Sequence, residues 1–531
     1  MRTRLLIVAF AALLAGACTS PAEPTEATDD DGTWRSALFP ADWTPEHEVD
    51  GLFLHDVSYA GYRYGEPVPA AEGPVVDVRD HGADPSGQAD STAAIQQAID
   101  SLDQGGIVWL PAGTYRIDDR LFVRASGVVL RGDGPTQSRL SFTRWEGMGD
   151  RAHLTIGGAL SHGAHHPLAV DAPSRATRLS LADASGLAVG DDVAVGFVIT
   201  PEFVADWGMA DTWETFNGTW RPFFRRTITA IDGDDVELDV PIRTDLLLRD
   251  EASVRVETGH VRDVGLEHLA VSTRAPWDAA WTLDRSHAIV LHGVVDGWVR
   301  DVQSFEHEAH PDPDRGERHL LSGGIKVLDS KRVTVADTDL RHAQNRGEGG
   351  NGYLFEISRS NEILIRDSTA VAGRHNFIQN WDFGTSGCVF LRTVSRDGRA
   401  FTSKGGLNST GYSEFHHSLA MANLIDDSVV DDGWQAVNRQ HFSSGAGHSA
   451  TETVFWNLRG SGTLRSFQAG PGYVIGTGPE LEVITDLETV DLFRAPEGTA
   501  PEDWREGIGE ADGLEPRSLY EAMRERRVRG E

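Results

Sequence analysis

Residues 77–134 combine one helical pattern of apolar positions with several short apolar runs. Asp90 or Ser91 can cap the helix, and Gly105 and Gly106 end it. Apolar side chains fall on one face of this helix at Ala94, Ile95, Ala98, Ile99 and Leu102. Strand-sized runs separated by turn residues follow at 107–110, 121–123 and 128–130. The pattern predicts a single helix that protects the open end of a parallel β-solenoid.

A short apolar-x-polar signature recurs from about residue 260 onward. Its copies are Val299-Arg-Asp301, Val335-Ala-Asp337, Ile365-Arg-Asp367, Leu391-Arg-Thr393, Ile425-Asp-Asp427 and Phe455-Trp-Asn457. Successive copies are 36, 30, 26, 34 and 30 residues apart. An irregular period of this size predicts solenoid coils that carry loops of unequal length. The segments are too short and too β-branched for helical repeats, so the predicted fold class is all-β.

The chain resembles a known superfamily in its N-terminal part. The residues that carry the resemblance are Asp80-His-Gly-Ala-Asp84, Asp90-Ser-Thr-Ala-Ala-Ile-Gln-Gln-Ala-Ile99 and Gly105-Gly-Ile-Val-Trp-Leu-Pro-Ala-Gly-Thr-Tyr115. They look like the opening of the pectate-lyase-like right-handed parallel β-helix superfamily. The resemblance implies a single-stranded β-helix, and its members include polysaccharide lyases, glycoside hydrolases and phage tailspikes. It therefore implies the fold without deciding the reaction.

The pattern along the chain divides it into six predicted parts. A small β module is predicted where the coil rhythm breaks, and an amphipathic helix is predicted after Pro516. The parts are a signal peptide (1–17), a disordered tether (18–33), an N-terminal cap with the first coils (34–174), an inserted β module (175–245), the main coils with the candidate active site (246–490) and a C-terminal brace helix (491–531). A tethered monomer is the simplest expectation for this arrangement.

The extreme N-terminus has the features of an export signal. Arg2 and Arg4 precede the apolar run 5–14, which is too short to span a bilayer. The residues Ala15-Gly-Ala-Cys18 resemble a bacterial lipobox. We therefore expect lipidation of Cys18 and a position outside the cytoplasm, either attached to the bacterial cell envelope or secreted. The other cysteine, Cys388, is expected to be a small buried apolar side chain.

Charge is distributed unevenly along the chain. The formal net charge is −33, which argues against binding to nucleic acid or to an anionic membrane surface, so membrane contact is expected only through the lipid anchor. Residues 370–460 hold seven Lys or Arg, eight Asp or Glu and five of the 20 His. Alignment of the coils brings three segments of this region together, at 373–380, 398–404 and 433–441. We expect the active site there.

Two reactions are compatible with this region, and both act on a polysaccharide. In β-elimination, a cation neutralises the carboxylate of a uronic acid and a base removes the proton at C5. In hydrolysis, two carboxylates flank the glycosidic bond. The candidate catalytic residues for the two reactions are Lys404, Arg439, His441, His448, Asp432 and Glu414. The candidate substrate-binding residues are Arg374, His375, Gln379 and Trp434.

The cationic, histidine-rich composition favours a lyase on a uronate-containing glycan. A glycoside hydrolase and a non-catalytic glycan-binding surface protein are the alternatives. The loop 306–319 contains His307, His310 and His319, but an exposed charged loop is favoured over a metal site because no established ligand spacing appears. No cofactor is required by either reaction. A Ca²⁺ ion held by coil carboxylates is compatible with a lyase, but no Asp cluster here matches the calcium pattern of the resembled family.

Overall fold

The computed structural model describes residues 32–213, 217–307, 317–380, 382–401, 408–485 and 503–530. The predicted signal peptide, Cys18 and Lys404 lie outside the described residues, so the expectations for them stay predictions. Among the described residues, no helix is both long and apolar enough to cross a bilayer.

The chain winds into a right-handed parallel β-helix whose coils have three faces, which confirms the predicted fold class. Face A is built by Val75–Asp77, Gly106–Leu110, Val128–Gly132, Val261–Arg262, Gly265–Thr273, Val294–Ser304, Lys331–Ala336, Leu364–Arg366, Val389–Leu391, Leu424–Asp426, Val454–Leu458, Tyr473–Thr477 and Trp504–Glu506. The short pair Ala420–Met421 and Ala450–Thr451 lies beside it. The two longest strands of face A, Gly265–Thr273 and Val294–Ser304, bend onto face B.

Face B has the fewest strands of the three faces. Face B consists of Gly113–Ile117, Ser138–Phe142, Asp339–Arg341, Thr369–Val371, Val394–Arg396 and Val429–Val430. Face C consists of Leu121–Val123, Ala152–Gly157, His287–His292, Gly323–Leu328, Tyr353–Ser358, His375–Gln379, Ser413–Phe415, Gly433–Ala436, Thr463–Ser466 and Glu482–Ile484. A hairpin of Arg399–Phe401 and Asn408–Thr410 projects between faces B and C.

Inward side chains of successive coils stack in columns about 4.8 Å apart. On face A the column contains Val108, Leu130, Leu266, Val299, Val335, Ile365, Phe390, Ile425, Phe455 and Val474. The repeat predicted from the sequence follows this column with one error. Phe390, and not Leu391, is in register with Ile365, because the polar corner residue of that coil is Arg392.

The polar third position of the repeat has a backbone cause. Each such residue lies at the corner between faces A and B and has a positive φ, as in Asp337 (50°), Asp367 (49°) and Asp427 (44°). Asp and Asn tolerate this left-handed conformation better than most residues. The recurring Asp or Asn therefore marks where each coil turns.

The predicted capping helix is present as Thr92–Asp100, with Ile95, Ala98 and Ile99 buried. Asp90 accepts a hydrogen bond from the backbone N–H of Thr92 (3.0 Å). Other short helical segments are Tyr62–Gly65, Val78–His81, Pro201–Asp206, Leu248–Asp250, Trp277–Ala280, Phe442–Gly445 and Ala511–Gly513.

The inserted module is an antiparallel sheet that is wider than the predicted range 175–245. Its strands are Ser161–His162, His166–Pro167, Arg178–Ser180, Asp192–Val198, Trp220–Asp232, Asp235–Leu238 and Ser253–Thr258. Ser253–Thr258 pairs with both Ser161–His162 and His166–Pro167. These three strands therefore belong to the module, although the coil signature in the sequence did not separate them from the coils. Trp213, Phe223 and Phe224 are buried in its core, which favours packing over sugar stacking for these rings.

The C-terminal helix Leu519–Arg529 packs on the outside of face A together with the segment around Trp34 and Phe39. Its N-terminus is held by the buried carboxylate of Asp426. That carboxylate accepts hydrogen bonds from Ser518 Oγ (2.7 Å) and from the backbone N–H groups of Leu519 (3.2 Å) and Tyr520 (2.9 Å). A carboxylate of the coil thus caps the N-terminal end of the helix.

Burial raises the pKa of Asp426 to about 7, above its ordinary value of 3.8. A carboxyl whose pKa is raised by folding favours the folded state most when it is protonated, so this contribution is complete below about pH 4 and is lost as the pH rises through about 7. We expect the melting temperature to fall between pH 5 and pH 8.5, with a loss of a few kcal/mol at most. Asp426→Asn, measured by calorimetry, should flatten this dependence. The control Asp431→Asn should keep the wild-type slope, and an unchanged slope in Asp426→Asn would contradict the assignment.

Trp434 was predicted to bind substrate, but it lies inside the coil. Its ring stacks on Phe377 (5.8 Å between centroids, 8° between planes) and meets Phe390 edge-on. The prediction was wrong because Trp434 occupies an inward position of its strand.

Trp434→Ala should lower the free energy of unfolding by about 3–5 kcal/mol, because it leaves a large cavity in the interior. Thermal unfolding measures the change. The exposed ring of Phe442 (53% exposed) provides a control, and Phe442→Ala should change stability by less than about 0.5 kcal/mol. A stable Trp434→Ala protein that had lost only glycan binding would place the ring in the cleft instead.

Candidate functional site

A cleft runs along the outer surface of face C. Its first part is a cavity of about 380 Å³ lined by cationic side chains: Arg120, Arg151, Arg285, Lys326 and Arg359. His287 and His292 also line it, and Asp150 is its one acidic lining residue among those the structure describes. The second part is a cavity of about 290 Å³ lined by Tyr353, Arg374, Asn380, His416 and Ser443. Arg285 lines both parts, so they adjoin one another.

The floor of the cleft is one outward column of face C. Parallel pairing puts Lys326, Glu356, Ile378, Glu414 and Gln435 in register on five successive strands. All five side chains are buried although they point away from the interior of the coil. The loops that rise on both sides of face C therefore cover the column, and its two carboxylates must find partners within it.

Glu414 is the centre of the second part of the cleft. One carboxylate oxygen, Oε1, accepts a hydrogen bond from Arg439 Nη1 (2.8 Å) and contacts His416 Nδ1, and it lies 3.4 Å from His375 Nε2. The other oxygen accepts a hydrogen bond from Gln435 Nε2. The buried carboxylate of Glu414 is thus surrounded by one cation, Arg439, and two imidazoles, His416 and His375.

Two partners of Glu414, Arg439 and His416, also contact Ser443, which lines the cleft. Arg439 also donates to the backbone carbonyl of His416 (3.3 Å) and to Ser443 Oγ (3.3 Å). His416 Nε2 lies 3.3 Å from the same Ser443 Oγ. With Nδ1 turned to the carboxylate of Glu414 and to Arg439 Nη1, the Nε2 atom of His416 is the one presented to the cleft.

Electrostatics give these groups distinct protonation states. Although burial opposes ionisation of Glu414, the Arg439 guanidinium holds its pKa well below the usual range. Burial, with the charge of Arg439, lowers the pKa of His416 to about 3. Burial lowers the pKa of His375 to about 4 and raises the pKa of Tyr353 to about 12. At neutral pH the cleft thus offers a neutral imidazole and a protonated phenol, with their ring centroids 6.1 Å apart.

The second carboxylate of the column, Glu356, is fully paired. It contacts Lys326 Nζ (2.9 Å), His287 Nε2 (2.7 Å) and Asn380 Nδ2 (3.1 Å). Although burial opposes ionisation, the charge of Lys326 keeps the pKa of Glu356 well below its usual range. Glu356 is therefore an anion that orients cationic and imidazole groups at the junction of the two parts of the cleft.

The structure brings four of the predicted site residues together. Glu414, Arg439 and His375 form one cluster with His416. Arg374 and His416 line the adjoining cavity, and Arg374 donates to the backbone carbonyl of Gly347. Their proximity follows from the coil repeat, which the sequence shows.

The remaining predicted residues lie elsewhere. Gln379 is in register with Ile357 and Phe415 of the inward column, so it points into the coil and not into the cleft. Asp432 accepts hydrogen bonds from Asn376 Nδ2 (2.9 Å), Ser395 Oγ (2.8 Å) and the N–H of Gly433 (2.7 Å), which makes it a support of the corner between faces B and C.

Neither His441 nor His448 lines the cleft. His441 is exposed on the outer loop. His448 is buried, and burial alone lowers its pKa to about 4. Both were predicted from closeness in sequence to the cluster, but neither side chain is among the residues that line the cavity.

Several residues of the cleft were missed by the sequence reasoning. They are Tyr353, Gln435, Glu356, Lys326, His287, Arg285, Arg120, Arg151 and Arg359. The sequence did contain a signal for part of this set. Four of the five aligned outward positions, Lys326, Glu356, Glu414 and Gln435, are polar, and such a repeat predicts a polar column on one face. The residues from 120 to 292 had no signal, because the inserted module separates them from the rest of face C.

His375, Glu414 and His416 also bring three metal-binding atoms within 4.8 Å of one another. Arg439, however, donates to the same carboxylate oxygen that would bind the ion. A guanidinium in this position supplies the positive charge that a metal would bring, so this cluster fits an ion-paired site better than a metal centre.

Comparison with known proteins adds information mainly on the fold. The family model described as rhamnogalacturonase A/epimerase, pectate lyase-like, matches residues 75–152. No curated protein matches the chain.

Three solved structures that are similar to the chain are remote in sequence. A tailspike protein from Pseudomonas phage LKA1 is 11% identical, with a TM-score of 0.39 and coverage of 81% of this chain and 78% of that one. The A-module of a mannuronan C-5 epimerase from Azotobacter vinelandii is 10% identical, with a TM-score of 0.31 and coverage of 81% and 98%. The catalytic unit of an alpha-1,3-glucanase from Streptomyces thermodiastaticus is 14% identical, with a TM-score of 0.31 and coverage of 84% and 70%. Likenesses this remote say nothing about activity. The family match over residues 75–152 and the parallel coils of the described residues together indicate the pectate lyase-like parallel β-helix fold.

Proposed function

We propose that the protein cleaves a uronate-containing polysaccharide by β-elimination in the cleft of face C. The observation that carries this proposal is the cleft's chemistry: a row of cations, a neutral imidazole and a protonated phenol. The alternatives are hydrolysis by paired carboxylates and glycan binding without catalysis.

The charge of the cleft supports an anionic polymer as its ligand. The chain has a formal net charge of −33, yet five Arg or Lys and one Asp line the first part of the cleft. Cations of a cleft raise the local concentration of anionic ligands and speed their association. A polymer of uronic acid residues carries one carboxylate on each, which matches a row of cations along a groove.

The second part of the cleft supports proton transfer at C5. In the proposed reaction, Arg374 or Arg285 neutralises the uronate carboxylate, which acidifies the C5–H bond. His416 Nε2 accepts the C5 proton, the C4–C5 double bond forms and the C4–O4 bond breaks. Tyr353 donates its phenolic proton to the departing O4. The anionic substrate itself would raise the proton affinity of His416 and so strengthen it as a base.

Hydrolysis has less support in this geometry. Glu356 and Glu414 are two strands apart, roughly 10 Å between backbones, and both are held as anions by neighbouring cations. A glycosidase needs one carboxylic acid that stays protonated to donate to the leaving oxygen. Neither carboxylate of this column meets that requirement.

The decisive experiment incubates the purified protein with a panel of uronate and neutral polysaccharides. New reducing ends and the ultraviolet absorbance of an unsaturated uronate are followed together.

We expect both signals, and we expect Tyr353→Phe and His416→Ala to lower kcat by about 10²–10⁴-fold. His441→Ala is the matched control, because this histidine is exposed outside the cleft, and it should keep wild-type activity. Reducing ends without absorbance would establish hydrolysis, and binding without either signal would establish a lectin-like protein.

The pH dependence gives an independent test of His416. Because its pKa lies below the ordinary histidine value of 6.5, the neutral base persists in acid, and the acid limb of kcat/KM should fall below pH 6.5. Arg439→Gln removes a charge that lowers this pKa, so the limb should move to higher pH, whereas Arg439→Lys should leave it near its original position. Identical limbs in all three proteins would exclude His416 as the base.

A further inference from the structure

We infer a second, independent site: Glu317, His319 and His342 form a binding site for a divalent transition-metal ion of the zinc class. The three residues lie at the corner between faces B and C. His342 follows the face B strand Asp339–Arg341, and His319 precedes the face C strand Gly323–Leu328 of the neighbouring coil. The backbone N–H of His319 donates to the carbonyl of His342 (3.0 Å), which fixes the two coils against each other.

Possible metal-binding atoms of the three residues lie close together. Glu317 Oε1 lies 2.9 Å from His319 Nε2, and Glu317 Oε2 lies 3.4 Å from His342 Nε2. One donor atom from each residue lies within 4.8 Å of the other two. Zinc bonds of 2.0–2.1 Å in a tetrahedron separate neighbouring ligand atoms by about 3.3 Å. The observed separations bracket this value, so an ion fits with small movements of the exposed Glu317 side chain.

A hydroxyl orients the most buried of the three ligands. His319 Nδ1 lies 2.8 Å from Ser304 Oγ, and the His319 side chain is only 6% exposed. A hydroxyl can either donate or accept, so Ser304 can accept from Nδ1–H while Nε2 presents its lone pair to the ion. A hydrogen bond on the second ring nitrogen is typical of histidines that bind metals.

The local charges favour this corner over the buried cluster around Glu414. The nearby guanidinium of Arg341 is engaged with both oxygens of Asp339, each at 2.6 Å. Arg439, in contrast, donates directly to the carboxylate of the buried cluster. The corner is also accessible, since the side chains of Glu317 and His342 are 48% and 26% exposed. A fourth position stays open for water or for another ligand.

The test is titration of the chelator-treated full-length protein with zinc chloride by calorimetry. We expect one saturable site and a rise in melting temperature when it is filled. His342→Asn and Glu317→Gln should each weaken binding at least tenfold. His342 has a positive φ (55°), and Asn tolerates this conformation, so the first variant should fold.

The controls separate this site from other histidines. His268→Ala removes an exposed imidazole that is paired with Asp301 (2.7 Å), and it should bind zinc like the wild type. His375→Ala removes an imidazole of the buried cluster around Glu414 and should also leave the zinc affinity unchanged. Absence of saturable binding, retained affinity in both His342→Asn and Glu317→Gln, or loss of binding in His375→Ala would each overturn the inference.

Discussion

The stacking of face C strands at a spacing of about 4.8 Å is the constraint on which the cleft depends. It places Lys326, Glu356, Glu414 and Gln435 in one column, although more than one hundred residues separate the first from the last. Once loops cover this column, each buried carboxylate needs a cation or several donors, because an unpaired buried charge is very costly. Lys326 and Arg439 meet this need. The same pairing leaves the neutral imidazole and the phenol as the groups that can exchange protons with a ligand.

Buried ion pairs also join the inserted module to the coils. Arg225 of the module binds Asp329 of the coils (3.0 Å), and Lys331 of the coils binds Asp192 of the module (2.9 Å). Such pairs contribute little net stability because desolvation offsets their attraction, but they tolerate only one relative arrangement. The module in turn supports the wall of the cleft, since Trp213 Nε1 donates to the carbonyl of Ala446 in the loop that carries Ser443 (3.0 Å). The insertion thus acts on the site without lining it.

The coil architecture was predictable because its signals are local. The helical face of residues 94–102 and the polar corner residues at intervals of about thirty each reflect a backbone requirement that one residue type meets. The same periodicity was enough to place Arg374, His375, Glu414 and Arg439 in one region. The periodicity did not align one coil correctly. It matched Leu391 with Ile365, whereas the structure pairs Phe390 with Ile365.

The sequence by itself determined that this chain forms parallel coils with one capping helix, and that cations and histidines gather on a few neighbouring coils. Only the tertiary structure decided which side chains face the cleft. Strand side chains alternate with a period of two, so a shift of one residue moves Gln379 or Trp434 from the outside to the interior. Only the tertiary structure, likewise, joined Arg120 and Arg151 to the same cleft, because the inserted module separates them from their neighbours in sequence but not in space. The charge pairing that sets the protonation of His416 and Tyr353 is a property of that assembled surface.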